Sequence, residues 1–348
     1  MMRTIFVLFA CFLFACALIP SAQAQSSSCK VTFNVGPWCS PDCLHSAPPT
    51  TVCDNPCIFF CSCSYNTNTC APAAAASETS CASCQKNVAW VGKPINLATG
   101  NTYIGQTDVS LPGLGGGLVL TRTWNSIWPA TQTGAINFIF GPNWTSTYQE
   151  RVLFGNDGYM KYARNDGSFW SFGVQATSGS ATTYSTTAPM NAGATLTTGA
   201  TYWTLTFKSG EKRWFDNASG YLTKIIDRNG NATQVAYDAY SRLATVTDPA
   251  GRHLYFNYPN PSTSLVSSVT SDFGVSLSYA YDTQGRLARV TKPDNTAVSF
   301  QYDSNSNITA VLDSDGKVLE SHTYDAFNRG LTSSRANGVD SVTVTYNH

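Results

Sequence analysis

The residues of this 348-residue chain whose types could do chemistry are twelve cysteines, four histidines and a recurring aromatic–aspartate pair. Cys11 and Cys16 lie in an apolar leader. The other ten (Cys29, Cys39, Cys43, Cys53, Cys57, Cys61, Cys63, Cys70, Cys81 and Cys84) crowd one short stretch, and none follows Cys84. Zinc could use Cys81-x2-Cys84 with Cys61-x-Cys63, but a zinc site wants paired C-x2-C knuckles or histidines, and His45 is the only histidine in the stretch. A thioredoxin-like role for Cys81-Ala82-Ser83-Cys84 lacks the surrounding βαβ pattern. An even number of cysteines packed this densely in an exported chain reads as disulfides, which substitute for the core that so short a segment cannot bury. Their connectivity stays open, because ten cysteines allow about 945 full pairings.

The other candidates are weaker. His45, His253, His322 and His348 are scattered without partners at ligand or triad spacing, so each reads as a solvated or packed histidine. No G-x-S-x-G elbow, H-E-x-x-H or Walker loop is present. Gly113-Leu114-Gly115-Gly116-Gly117 follows Leu-Pro rather than opening a helix and reads as a flexible turn. Asp227-Arg228-Asn229-Gly230-Asn231 lacks the aspartate ladder and distal glutamate of a calcium loop. The pairs Phe215-Asp216, Tyr237-Asp238, Tyr281-Asp282, Tyr302-Asp303 and Tyr324-Asp325 could stack on sugars and accept their hydroxyls. A binding site needs one or two such pairs, whereas a stacked array needs one in every copy. The tyrosines are therefore expected to be cross-strand ladder residues and the aspartates turn acceptors. Trp124, Trp144, Trp170, Trp203 and Trp214 read as core. No catalytic, cofactor-binding or metal-binding residue is expected, and no cofactor.

The leader sets the compartment. Arg3 precedes an uncharged apolar run from Ile5 to Ile19, Pro20 breaks it, and Ala22-Gln23-Ala24 offers a small-x-small cleavage site. The run is too short to remain in a bilayer, so a signal peptide over 1–24 is expected. Leu13-Phe14-Ala15-Cys16 loosely resembles a lipoprotein box, with an unsuitable phenylalanine before its small residue. Lysine plus arginine equals aspartate plus glutamate at 21 each, which leaves no basic surplus to attract nucleic acid or anionic lipid. The mature chain is thus expected to be secreted, periplasmic or at the cell surface, with no membrane span and no nucleic-acid partner.

The elements that must position these residues are β-strands. The composition is rich in Thr, Ser, Tyr, Val and Gly and only 12% charged. After a disulfide module over 25–90, residues 91–202 alternate short strands with Gly, Pro and Asn turns. Leu118, Leu120, Arg122 and Trp124 alternate with Val119, Thr121 and Thr123, and Ala176 to Ala200 reads as a loose loop or weak strands. From 203 to 348 the aromatic–aspartate pairs recur with a degenerate member at Tyr258-Pro259, at intervals of 22, 21, 23, 21 and 22 residues. Ser241-Arg242-Leu243 and Gly285-Arg286-Leu287 follow the first turn of each copy, and Asp227 to Gly230 and Asp313 to Gly316 occupy the second. Each copy holds two alternating runs, such as Leu243 to Thr247 and Leu254 to Tyr258, joined by hairpin turns. One hairpin cannot bury a face alone, so the copies must stack. Tyr346-Asn347 starts a further copy, and five or six uncapped hairpins make an open, incomplete wall.

Three segments carry a resemblance. Asn96-Leu97-Ala98-Thr99-Gly100, then Asp108-Val109-Ser110-Leu111-Pro112, then Arg122-Thr123-Trp124-Asn125-Ser126 resemble the N-x-A-T-G, D-x-x-L-P and R-x-aromatic-N-S signature of the domain that precedes the repeats in Rhs-type proteins. The 22-residue array resembles the YD repeats of the same family. The resemblance implies an all-β fold in which stacked antiparallel hairpins form a curved, open sheet, part of an Rhs shell, preceded by a β-rich domain and the disulfide module. It also implies a non-catalytic secreted or cell-surface scaffold like the shell-forming part of polymorphic toxins used in interbacterial competition, with a downstream toxin or further repeats as partner. The alternative is a carbohydrate- or cell-wall-binding surface module that meets a surface glycan or protein. An enzyme within 91–202 is a third reading. The disulfide expectation is tested by intact mass: full reduction of the mature chain should add about ten hydrogens, and equal masses before and after would refute it.

Overall fold

The computed structural model describes residues 90–91, 95–128, 138–338 and 341–346. The ten cysteines and the leader lie outside the described residues. The fold that follows belongs to one compact unit that ends at Val344.

A short hairpin joins β1 (Trp90–Val91) to β2 (Ile95–Asn96). Next comes a three-stranded antiparallel sheet of β3 (Tyr103–Leu111), β4 (Leu118–Asn125) and β5 (Trp144–Ser146), in that order. Leu118 and Leu120 are buried while Val119 and Thr121 between them are not, as period-two alternation requires. From Arg122 to Asn125 the strand is buried on both faces.

The remaining strands form one sheet. They are β6 (Arg151–Phe154), β7 (Met160–Ala163), β8 (Phe169–Ser178), β9 (Ala181–Ala188), β10 (Thr195–Thr198), β11 (Tyr202–Thr206), β12 (Lys212–Asp216), β13 (Leu222–Ile226), β14 (Ala232–Tyr237), β15 (Leu243–Thr247), β16 (His253–Asn257), β17 (Ser268–Ser271), β18 (Ser276–Tyr281), β19 (Leu287–Thr291), β20 (Ala297–Tyr302), β21 (Ile308–Leu312), β22 (Val318–Tyr324), β23 (Gly330–Arg335) and β24 (Val342–Thr343). Every strand pairs antiparallel with its sequence neighbours, so no crossover occurs from β6 to β24. Among the described residues no ladder joins β24 to β6, and the sheet is open. Its first strand nevertheless curls back. Arg151 bridges Tyr221, Val152 N–H donates to the Gly220 carbonyl at 2.9 Å, and Leu222 N–H donates to the Glu150 carbonyl at 3.1 Å. The outer edge of β6 therefore rests on the start of β13, and the sheet continues beyond that seam as a coil.

The repeat encodes its own curvature. A register shift falls where Phe215, Tyr237, Tyr281, Tyr302 and Tyr324 pair with the next strand, and the extra residue, Thr223, Ala244, Ala288, Thr309 or Leu331, lies on that following strand. Such a bulge bends a strand and adds right-handed twist, so bulges in all copies but that of Tyr258 turn a flat stack into a coil. In the turns that follow Tyr237, Tyr281, Tyr302 and Tyr324, the position with positive φ is Ser241, Gly285, Ser306 and Asn328. A short loop that pairs a tight turn with one left-handed residue is a common hairpin connection, and Gly and Asn tolerate it best.

The coil buries its concave face. In the four copies that carry Tyr237, Tyr258, Tyr281 and Tyr302, the residue two places before the aromatic is Val235, Phe256, Tyr279 or Phe300, each about 5% exposed. Onto them folds the β3–β5 sheet with the segment just before β5: Phe140 meets Tyr279, Trp144 meets Phe300 and Trp124 meets Tyr324, at ring separations of 4.9, 5.1 and 6.2 Å. One hydrophobic cluster thus runs from Ile104 to Val311 without a break between the sheets. One expectation narrows and two change. Of the two readings of 176–200, a loose loop or weak strands, the strands hold: the stretch contains the end of β8 and all of β9 and β10. Gly113–Gly117 is no free turn, because it packs on Arg252 and Pro249, and a Cβ on Gly117 (φ 73°) would overlap the Leu111 carbonyl. Trp124, Trp144 and Trp170 are core, whereas Trp203 and Trp214 are only half-buried.

Candidate functional site

The most unusual chemistry in the molecule is a buried ion pair. Arg122 on β4 and Asp108 on β3 have side chains 1% and 4% exposed, and Nε donates to Oδ2 at 2.5 Å while Nη2 donates to Oδ1 at 2.8 Å. Asp108 also accepts from the Tyr279 hydroxyl at 2.8 Å. The guanidinium lies among four rings: Trp144 at 4.9 Å, Tyr279 at 5.6 Å, Phe140 at 5.8 Å and Phe300 at 5.9 Å. Burial penalises the cation, but the Asp108 carboxylate more than offsets this, so Arg122 is held above its ordinary value. Burial and the same carboxylate push the Tyr279 hydroxyl well up. An enclosed arginine held this firmly in its charged form cannot shuttle protons. Its chemistry is attachment: two residues of the β3–β5 sheet and two residues of the repeats close around one charge.

The repeats build a second polar system along one rim. Asp238 Oδ1 accepts from the Tyr240 and Arg242 amides at 2.8 and 3.0 Å, and Oδ2 accepts from Arg242 Nε at 2.8 Å. Asp282 repeats this with Gln284 and Arg286, and Asp325 with Phe327 and Arg329. Asp303 does it with Asn305 and Asn307. Asp216 instead caps Ala218 and Ser219. The tyrosine hydroxyls reach back one copy: Tyr237 donates to the Leu222 carbonyl, Tyr258 to Leu243, Tyr281 to Val266, Tyr302 to Leu287 and Tyr324 to Ile308, at 2.7 to 2.9 Å. Phe215, at the start of the array, has no hydroxyl to give and packs against Tyr162 instead. Arg242 and Arg286, aimed by their aspartates, lie over the rings of Tyr258 and Tyr302 in the following copy at 4.1 and 4.8 Å.

Burial pushes the carboxyls of Asp238 and Asp282 up, but hydrogen bonds from Arg242 and Arg286 and from turn amides outweigh it, so both sit below the usual carboxylate range. Burial raises the hydroxyls of Tyr237, Tyr258, Tyr281, Tyr302 and Tyr324, which keeps them protonated donors at neutral pH. The second turns use the same device, with Asp248 on Arg252 and Asp227 on Asn231.

Two other clusters look catalytic at first sight. Lys161 Nζ donates to Ser171 Oγ at 2.7 Å, as in a serine–lysine pair, but it also binds Asp157 at 2.5 Å. An amine engaged as donor to both groups holds Asp157 and Ser171 in place. His322 is buried between Glu320 on its own strand and Ser333 across the ladder, yet neither ring nitrogen has a hydrogen-bond partner and Glu320 is 3.7 Å away. Among the described residues no group of three His, Cys, Asp or Glu side chains could hold a metal ion, and no helix is long and apolar enough to cross a membrane. A shallow cleft at the β6 seam, lined by Glu150, Arg151, Tyr221 and Tyr237 among others, measures only about 30 Å³, on the order of one water.

The Arg122–Asp108 pair was not legible as a pair in the sequence, although both residues belong to the motifs quoted above. The roles of Arg242, Arg286 and Arg329 were also missed. Their recurrence four residues after each aspartate was the available signal.

A coil of aromatic–aspartate hairpins wound on a small N-terminal sheet is a repeat scaffold. A domain of unknown function, DUF6531, matches residues 92–172, and the RHS repeat matches 217–253 and 281–318. The chain thus carries repeats of the Rhs, or YD-repeat, family. It is 30% identical over 149 residues to a tRNA nuclease WapA of Bacillus subtilis strain 168, and equally to a tRNA3(Ser)-specific nuclease WapA of Bacillus spizizenii. Each match covers 43% of this chain and spans 6% of the relative's length. A Tc holotoxin pore of Photorhabdus luminescens aligns at a TM-score of 0.28 and 12% identity, covering 66% of this chain and 14% of that one.

Replacing Arg122 by Met strands a buried carboxylate and should cost about 3–5 kcal/mol of unfolding free energy. Adding Asp108→Asn, which keeps an acceptor for Tyr279, should recover part of that loss; a double variant less stable than the single one would refute the pairing. The depressed aspartates contribute stability that is present above their unfolded value near about 3.9 and is lost as pH falls through the lower folded value. Denaturation midpoints should therefore drop from about pH 5 downward, with a shallower fall in Asp282→Asn, and a slope unchanged by that substitution would count against the turn assignment.

Proposed function

We propose that the chain is an exported, non-catalytic scaffold of the kind that toxin-bearing proteins carry, a length of shell wall whose biochemical activity resides elsewhere. The carrying observation is what the recurring polar groups do. The repeat aspartates are engaged by turn amides, most of them also by an Arg or Asn side chain, and five tyrosine hydroxyls are engaged by the preceding copy. The residues that recur most are therefore committed to building the wall, and the aromatic–aspartate pairs do not stand free as ligand sites. The curated relatives, of which this chain spans only 6%, support an activity that resides elsewhere, and the expected signal peptide supports export.

Those relatives are named as tRNA nucleases, which provides the direct test. The purified mature chain incubated with bulk tRNA should leave it intact over hours. Cleavage that a single substitution abolishes would overturn the non-catalytic reading. For export, the protein recovered outside the cytoplasm should begin at Gln25, and a product retained inside with Met1 intact would contradict the compartment.

A further inference from the structure

We infer that the β3–β5 sheet and the turn before it act as a ruler that fixes which repeat stands where along the coil. Three consecutive copies each receive one mark. At the first, the Ile139 carbonyl accepts from Val266 N–H at 2.9 Å and from the Tyr281 hydroxyl at 3.3 Å, and Phe140 packs on Tyr279. At the second, Trp144 packs on Phe300 and its indole N–H donates to the Tyr302 hydroxyl at 3.3 Å. At the third, Trp124 packs on Tyr324, and the Gly100 carbonyl accepts from Gly330 N–H at 2.8 Å.

The repeat sequence is altered at the third mark to receive it. The residue paired directly opposite the aromatic is Leu222, Leu243, Leu287 and Ile308 in four copies, each buried, and Gly330 in the fifth. A Cβ on Gly330 would lie 2.9 Å from Ile95 Cγ1 and closer still to Thr102 Oγ1. The space that a repeat leucine fills elsewhere is taken here by the residues that flank the Asn96–Gly100 turn. Gly330 is thus a vacancy in the repeat pattern cut to fit the N-terminal segment, and it can serve only if the count of copies before it is correct. The degenerate copy at Tyr258-Pro259 lies at the opposite end of the ruler, where Val266 turns its amide to Ile139 instead of to a strand.

The test adds one copy. Duplicating residues 282–302 directly after Tyr302 in the full chain puts a second Tyr302 against Trp124 and Ile308 into the place of Gly330. This variant should melt well below the parent. Ile308→Gly should lower the melting temperature in the parent, where Ile308 is core, and raise it in the duplicated chain, where it restores the vacancy. An independent variant, Gly330→Leu, which makes the copy more like its neighbours, should destabilise the parent. A duplicated chain as stable as the parent, no gain from Ile308→Gly in it, or a Gly330→Leu protein with an unchanged melting temperature would each overturn the ruler.

Discussion

The packing of Phe140, Trp144 and Trp124 onto the concave row of the repeats is the contact on which the rest of the structure depends. A hairpin copy has one apolar face and a few residues per strand, too little to fold alone. Side-by-side pairing satisfies the backbone but leaves that face open to water. The bulges on the strands that follow the repeat aromatics bend the stack until its apolar side becomes an inner wall, and the inner wall then needs contents. The β3–β5 sheet supplies them. The Arg122–Asp108 pair sits within this contact, where loss of one partner alone would leave the other charge buried and unpaired.

The same constraint separates the two faces of the repeat motif. The aromatic ring points to the core side while its hydroxyl reaches the carbonyl of the copy before, and the aspartate folds the turn and holds an arginine. In two copies that arginine covers the ring of the copy after. Each unit is thereby tied backward through its tyrosine and, where the arginine is present, forward through it. Where one part is missing, the local sequence compensates: Tyr221 stacks on Tyr237 at 5.1 Å in a place where later copies carry arginine, and Arg151 of β6 lies over Tyr221 at 4.8 Å. The seam that pins the first strand of the sheet to the coil uses the same stacking chemistry as the copies themselves.

Much of the wall was legible in the sequence, because period, turn residues and alternation all repeat and a repeated signal averages out local ambiguity. Leu243–Thr247 was read as a strand and is one, and Asp238, Asp282 and Asp325 are turn acceptors as their position after the aromatic implied. What was hidden are the features that occur once. Asp108 and Arg122 are separated by a glycine turn, and only the antiparallel register of β3 on β4 brings them together. Gly330 looks like a lapse in the repeat until Ile95 and Thr102 are seen in its place. Trp214 resembles the buried tryptophans in composition but stands opposite the covered face that Phe215 occupies on the same strand, and Trp203 packs only at the margin of the core. Non-local packing decides such positions, and no periodicity announces it.

The central claim is that the N-terminal sheet and the repeats form one cooperative unit rather than a wall with a loose insert. Native-state hydrogen exchange measures this directly, because residues that open together share one opening free energy. The slowest amides of β4, such as Leu120 and Trp124, and those of β18 and β20, such as Tyr279 and Phe300, should exchange with the same free energy and fall together in Arg122→Met. Amides of β4 that open at a distinctly lower free energy than those of β18 and β20 would contradict it.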